Sequence, residues 1–133
     1  MCHSTPRQEL VLPKEASAPS VARNWLRAVG CGSHGGDLLD DAALLVSELV
    51  TNALLYGGPP IVLAVDCDGS GLEVRVRDGS SRWPVPRPAG PDAENGRGFL
   101  LLDILSERWG VEAEVDGAGG KEVWFRLRRS GPY

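Results

Sequence analysis

The stretch that decides the fold is SELVTNALLYGG, Ser47 to Gly58. It continues an apolar pattern with helical spacing from Leu38, and Gly57-Gly58-Pro59-Pro60 ends the helix. Glu48 and Asn52 are four residues apart, so their side chains share one face of this helix. Because the neighbouring residues are mostly Leu, Val and Ala, the carboxylate is expected to face a partner, such as a metal ion with a bound anion. The alternative is a solvated stripe on an amphipathic helix.

The bulk properties predict one soluble globular domain, residues 1–133. The hydrophobic share of 42% and the charged share of 24% are typical of a folded chain with a single core. The net charge of −4 argues against nucleic-acid binding as the main function. Three cysteines without C-x-x-C spacing favour reduced thiols. The N-terminus lacks a signal-peptide pattern, and no apolar stretch approaches the length of a membrane span, so we expect a cytoplasmic protein.

Strands and helices are predicted on both sides of this central helix. Residues 1–16 are expected to form a tail and a strand ended by Pro13, and a helix is expected from Ser17 to Val29. The patterns that follow predict a hairpin of IVLAVD and LEVRVRD, a proline-rich lid at residues 81–95, a helix FLLLDIL, and a hairpin of WGVEAEV and KEVWFRLRR. This order predicts an α+β two-layer sandwich, with helices covering one face of a mainly antiparallel mixed sheet.

Asp78 ends a strand whose alternation is informative. Leu72, Val74 and Val76 occupy the inward positions of LEVRVRD, and Asp78 is the next residue on that face. A carboxylate directed into the core needs a hydrogen-bond donor, and the amino group of a bound purine would supply one. The alternative is an aspartate that forms a turn before Gly79 and bends out to solvent.

Gly96 and Gly98 stand directly before an apolar helix. Backbone N–H groups at the positive end of a helix suit a phosphate. A single G-x-G is most often a simple turn, and this one fits neither the P-loop nor the Rossmann pattern.

The motifs acquire more meaning in combination. E-x-x-T-N at a helix end, an inward Asp, a proline-rich lid and G-x-G opening a helix occur in that order, and together they resemble the GHKL ATP-binding superfamily, the Bergerat fold. Within it, LLVSELVTNALLYG, GRGFLLLDILSERWG and GGKEVWFRL are similar to small RsbW-type anti-sigma factors and serine-protein kinases of actinomycetes. The resemblance runs from about Pro19 to Leu127.

The resemblance implies a role for each matching residue. Asn52 would hold Mg²⁺ bridging the ATP phosphates, Glu48 would be the catalytic general base, and Asp78 would accept a hydrogen bond from the adenine amino group. Gly96, Arg97 and Gly98, with the lid, would cover the phosphates. The implied cofactor-binding residues are Asn52, Asp78, Gly79, Gly96, Arg97, Gly98 and Phe99.

The implied function is partner switching. Such a protein sequesters an alternative sigma factor and phosphorylates a serine of an anti-anti-sigma (STAS) protein, and a homodimer is implied as well. The alternatives are a catalytically inactive regulatory binding protein of the same fold, nucleotide-dependent or not, and a stand-alone ATPase. The ATPase is less favoured because no lysine is clearly placed to contact the γ-phosphate. Lys121 lies in the last hairpin, and the sequence does not determine whether it reaches that phosphate.

Three positions depart from the family pattern. DGSSRW stands where D-x-G-x-G is usual, and Tyr56 stands where a histidine is often found. Glu122 replaces a common threonine, and it would repel Asp78 if it faced the nucleotide. Strand alternation places Val123, Phe125 and Leu127 inward, which predicts that Glu122 faces outward.

Overall fold

The computed structural model describes residues 5–29, 35–68, 70–80, 97–113 and 120–128. The elements follow in the predicted order. They are β1 (Thr5–Leu12), α1 (Ala18–Val29), α2 (Gly35–Tyr56), β2 (Ile61–Asp68), β3 (Gly71–Asp78), α3 (Arg97–Leu105), β4 (Arg108–Ala113) and β5 (Lys121–Arg128). The predicted lid, residues 81–95, and Gly96 lie outside the described residues.

The five strands form one sheet in the order β1-β2-β3-β5-β4. All four pairings between these described strands are antiparallel, which confirms the predicted α+β fold with a mainly antiparallel sheet. Strands β2 and β3 form a hairpin. Strand β5 pairs with the other edge of β3, and β4 pairs with the outer edge of β5. Two neighbouring strands can be parallel only if a crossover connection joins them. Helix α3 leads from β3 to the outer strand β4, which is separated from β3 by β5.

Asp68 closes the turn between β2 and β3. Its Oδ1 accepts hydrogen bonds from the backbone N–H groups of Ser70 and Gly71, both at 2.8 Å, and from the Ser70 hydroxyl at 2.9 Å. Arg126 of β5 donates to Oδ2 at 3.0 Å. The predicted hairpin is thereby confirmed, and an aspartate side chain satisfies the turn's backbone donors.

The core lies between the helices and one face of the sheet. On α1, alanine and leucine four residues apart place one buried stripe against it: Ala18, Ala22 and Leu26. Alternate residues of β3 and β5 form the sheet side, and the core on these two strands consists of Leu72, Val74, Val76, Val123, Phe125 and Leu127. Strand β2 is buried on both faces, since Val62 and Ala64 are also inaccessible, as its continuous apolar run predicts.

Helix α2 is the central element of the helical layer. It has 22 residues and buries one side that includes Leu45, Val46 and Leu49. Among the helices of the described ranges, none has the length and apolarity required to cross a bilayer.

Candidate nucleotide-binding site

Asp78 lies at the end of β3 with its carboxylate on the core side of the sheet. Only 5% of its side chain is exposed. Its Oδ1 accepts hydrogen bonds from the Ser80 backbone N–H and from Nζ of Lys121, each at 2.9 Å. The inward orientation is thus confirmed, and the solvent-facing alternative is wrong. Asp78 does accept the hydrogen bond from the Ser80 N–H that is typical of a turn. Its side chain nevertheless stays buried.

Lys121 is the partner that the sequence patterns did not assign. It is paired with Asp78 in the register of β3 and β5, and 7% of its side chain is exposed. The alternation that places Val123 and Phe125 inward also places Lys121 inward, so this signal was present in the sequence. A buried ammonium is tolerated when a carboxylate compensates it, which Asp78 does.

Glycine residues bring the end of α2 against Asp78. A Cβ atom on Gly57 would lie 2.7 Å from Cγ and 2.8 Å from Oδ2 of Asp78. The Gly57 N–H donates to the carbonyl oxygen of Ala53 at 2.9 Å, which extends the helical hydrogen bonding by one residue. At the candidate site, the end of α2 therefore packs directly against Asp78, the last residue of β3. This close contact requires glycine at position 57, because any larger residue would place a Cβ atom against the carboxylate.

Gly79 makes the second close contact between these two segments. Its N–H donates to the carbonyl oxygen of Gly58 at 2.7 Å, and a Cβ atom on it would overlap the carbonyl oxygen of Pro59. The structure thus gives Gly79 a packing role. Its predicted contact with a nucleotide stays a prediction.

Glu48 and Asn52 lie on the flank of α2 away from α1. Arg23 of α1 donates to the Ser47 hydroxyl at 3.0 Å, so the Ser47 side of α2 faces α1. Residues of an α-helix follow one another at about 100°, which turns Glu48 by about 100° and Asn52 by about 140° from Ser47. Both side chains are half-buried, which disagrees with a fully solvated stripe.

Helix α3 begins at Arg97, two residues earlier than the sequence pattern predicted. Arg97, Gly98 and Phe99 therefore belong to its first turn, where the backbone N–H groups have no partner within the helix. Leu102 of α3 lies in the same core as Leu45 of α2. The predicted phosphate-binding role of this turn remains compatible with its place in the fold and stays a prediction.

Glu122 faces the outer side of the sheet, as alternation predicts. Its carboxylate pairs with Nη1 of Arg75 at 2.7 Å, and Arg75 also lies near Glu73 at 3.6 Å and Glu112 at 3.8 Å. Partial burial of Arg75 acts to lower its pKa, but the hydrogen bond and charge of Glu122, followed by Glu73 and Glu112, raise that pKa above its ordinary value. The repulsion of Asp78 that an inward-facing Glu122 would cause therefore does not arise.

The residues present fit an adenine nucleotide. Both hydrogen bonds that Asp78 accepts within the described ranges go to Oδ1, and none there goes to Oδ2. A buried carboxylate oxygen without a donor is costly, and an amino group of a bound base would satisfy it. Asn52 offers a carboxamide oxygen, a hard oxygen ligand of the kind that Mg²⁺ prefers.

The chain belongs to the histidine kinase-like ATPase domain family, whose model matches residues 12–127. Together, the match and the α+β architecture define an ATP-binding type of domain with the GHKL, RsbW-like fold.

Two particular relatives can be named. The crystal structure of the RsbU and RsbW domains of Rv1364c from Mycobacterium tuberculosis is similar with a TM-score of 0.65 and 22% sequence identity. That match covers 96% of this chain and 34% of the other, so the chain spans about a third of the solved protein. The uncharacterized protein SCO4941 of Streptomyces coelicolor is 36% identical over 76 residues, which is 53% of this chain and 72% of that one.

Proposed function

We propose that the protein binds Mg·ATP, sequesters an alternative sigma factor and phosphorylates a serine of an anti-anti-sigma (STAS) protein. The observation that carries the proposal is the buried carboxylate of Asp78, whose Oδ2 accepts no hydrogen bond from the described residues. It lies against the end of the helix that carries Glu48 and Asn52, in a chain of the histidine kinase-like ATPase family.

The proposed reaction transfers the γ-phosphoryl group to a protein hydroxyl. The serine oxygen forms a bond to the γ-phosphorus while the bond from that phosphorus to the ADP oxygen breaks. Glu48 accepts the proton of the serine hydroxyl, so the products are phosphoserine and ADP. When bound, Mg²⁺ would neutralise phosphate charge, and Asn52 would hold it. Arg97 and Gly98 would face the phosphates from the first turn of α3.

The RsbW-like fold supports the proposed partners. The RsbW domain named in the Mycobacterium tuberculosis protein supports a regulator of the anti-sigma type. We further propose that the protein acts in the cytoplasm, since that is where a sigma factor would be sequestered. The resemblance to RsbW-type proteins also implies a homodimer.

The first experiment is calorimetry of Mg·ATP binding to the natural protein and to Asp78→Asn. Micromolar binding that is lost in the variant would support the nucleotide site. Circular dichroism should accompany it, because the substitution also removes the counter-charge of Lys121. An absence of heat with the natural protein at two well-separated temperatures would reject ATP binding.

The second experiment separates catalysis from binding. Glu48→Gln should retain Mg·ATP binding and lose transfer of labelled γ-phosphate to a STAS-domain protein of the same organism. Glu73→Gln, on the outer face of the sheet, is the matched control and should transfer normally.

The alternative function is a regulatory binding protein that does not turn over ATP. DGSSRW in place of D-x-G-x-G favours it, because the second glycine of that motif is missing. Under this alternative, the natural protein binds its sigma factor but transfers no phosphate, and Glu48→Gln changes neither property.

A further inference from the structure

Lys121 presents more hydrogen-bond donors than its surroundings use. A lysine ammonium carries three N–H groups. Within the described ranges, Nζ of Lys121 makes one hydrogen bond, to Oδ1 of Asp78 at 2.9 Å, although the side chain is 7% exposed. Burial of N–H groups without acceptors is unfavourable, so the site is suited to a ligand that brings an acceptor.

The ammonium and the carboxylate form a donor and an acceptor side by side. Oδ1 of Asp78 is occupied by Lys121 and by the Ser80 N–H, while Oδ2 receives no donor from the described residues. Gly57 lies beside Oδ2, and a Cβ atom at that position would come within 2.8 Å of this oxygen. A ligand with a donor next to an acceptor would therefore satisfy Asp78 and Lys121 together.

We propose that Lys121 contacts the nucleobase directly and donates to a ring nitrogen next to the amino group, so that Asp78 and Lys121 together recognise one edge of adenine. This inference rests on the proposed function. The amino group of adenine is flanked by two ring acceptors, N1 and N7, and either of these edges places an acceptor beside the donor. Because Nζ lies within hydrogen-bond distance of Asp78, the ammonium belongs to the base end of the site and not to its phosphate end.

The test compares ATP with 1-deaza-ATP and 7-deaza-ATP on the natural protein by calorimetry. Each analogue lacks one ring acceptor and keeps the amino group. We expect one analogue to bind about tenfold more weakly than ATP, the cost of losing a hydrogen bond to a charged group, and the other to bind like ATP. Equal binding of all three nucleotides would overturn the role of Lys121 and leave the proposed function intact. No binding of ATP would reject both.

A pair of variants assigns the effect to the side chain. Lys14 and Lys121 are the lysines of this chain, and Lys14 is exposed. Lys121→Met should bind ATP more weakly and no longer distinguish ATP from the discriminated analogue. Lys14→Met should retain both the affinity and the discrimination of the natural protein. Discrimination that persists in Lys121→Met would overturn the proposal.

Discussion

Lys121 and Glu122 are neighbours in the chain and form ion pairs on opposite faces of the sheet. Lys121 meets Asp78 on the core side at 2.9 Å, and Glu122 meets Arg75 on the outer side at 2.7 Å. The sheet therefore separates two charge systems by the thickness of one strand. The acidic residue that replaces the family's threonine does not reach Asp78.

The first prediction concerns the strength of the buried pair. Asp78→Asn and Lys121→Met should each lower the free energy of unfolding by about 3 kcal/mol, because each leaves one buried charge uncompensated. The double variant should lose less than the sum of the two, since it removes both charges. Urea unfolding of the natural protein, both single variants and the double variant measures the coupling.

Arg27 and Asp40 provide the matched control for that cycle. Their ion pair has the same 2.9 Å separation, but the side chains are 48% and 63% exposed. Solvent screening should hold the coupling of Arg27→Met with Asp40→Asn below about 1 kcal/mol. Equal coupling in the two cycles would contradict a special role for burial at Asp78.

The second prediction concerns Gly57. Gly57→Ala should destabilise the protein by about 1–3 kcal/mol, because the new methyl group would overlap the Asp78 carboxylate. It should also weaken ATP binding, since that methyl group lies beside Oδ2. Gly58→Ala is the neighbouring control, because its Cβ atom would meet nothing closer than the Ser80 nitrogen at 3.9 Å. Thermal unfolding measures the stability of the two variants, and calorimetry measures their affinity for ATP. Equal stability and equal affinity in the two variants would contradict this prediction.

The third prediction concerns chemical accessibility. An amine-reactive acetylating reagent should modify the exposed Lys14 rapidly and Lys121 slowly, because Lys121 is buried and its ammonium is held by Asp78. Peptide mass spectrometry over time measures the two rates. The two lysines should react at similar rates in urea-unfolded protein, and similar rates in the folded protein would refute the burial of Lys121.

The fourth prediction concerns acid stability. The Ser70 amide is the largest influence on the pKa of Asp68, which falls from 3.8 to about 2; partial burial opposes this shift, and the Ser70 hydroxyl, Arg126 and the Gly71 amide add to it. A depressed folded-state pKa contributes stability above pH 4 that is lost as the pH falls towards 2. The natural protein should therefore exceed Asp68→Ala in stability at pH 6.

The size of that difference is limited by solvent. Because half of the Asp68 side chain is exposed, we expect the pH-dependent part to be about 1 kcal/mol or less. Thermal unfolding of both proteins between pH 6 and pH 2 measures it. A difference that stays constant over this range would show that the carboxylate's charge is not responsible.

Local patterns predicted most of the fold and part of the candidate site. Alternation along β3 placed Asp78 correctly, because Leu72, Val74 and Val76 define its inward face without knowledge of the partner strand. Helical spacing and the Gly-Pro stop likewise located α2. These signals are contained within one element, and one element suffices to interpret them.

The partner of Asp78 depended on information that no single element contains. The pairing with Lys121 is set by the register between β3 and β5, whose paired residues are 43 positions apart at that point. The contact of Gly57 with Asp78 similarly needs the packing of a helix end on a strand end. Sequence periodicity gives faces and not partners, so it identified the carboxylate and missed its ammonium.

The inward face of β3 passes from apolar core to Asp78 within one strand, with no loop between them. Ligand binding and folding are therefore thermodynamically linked, because unfolding of β3 destroys the apolar core and the binding site together. A ligand that binds only the folded chain, at a free concentration of a hundred times its dissociation constant, would add about 2.7 kcal/mol to the stability. Removal of that ligand would then lower the stability of the whole domain as well as empty the site.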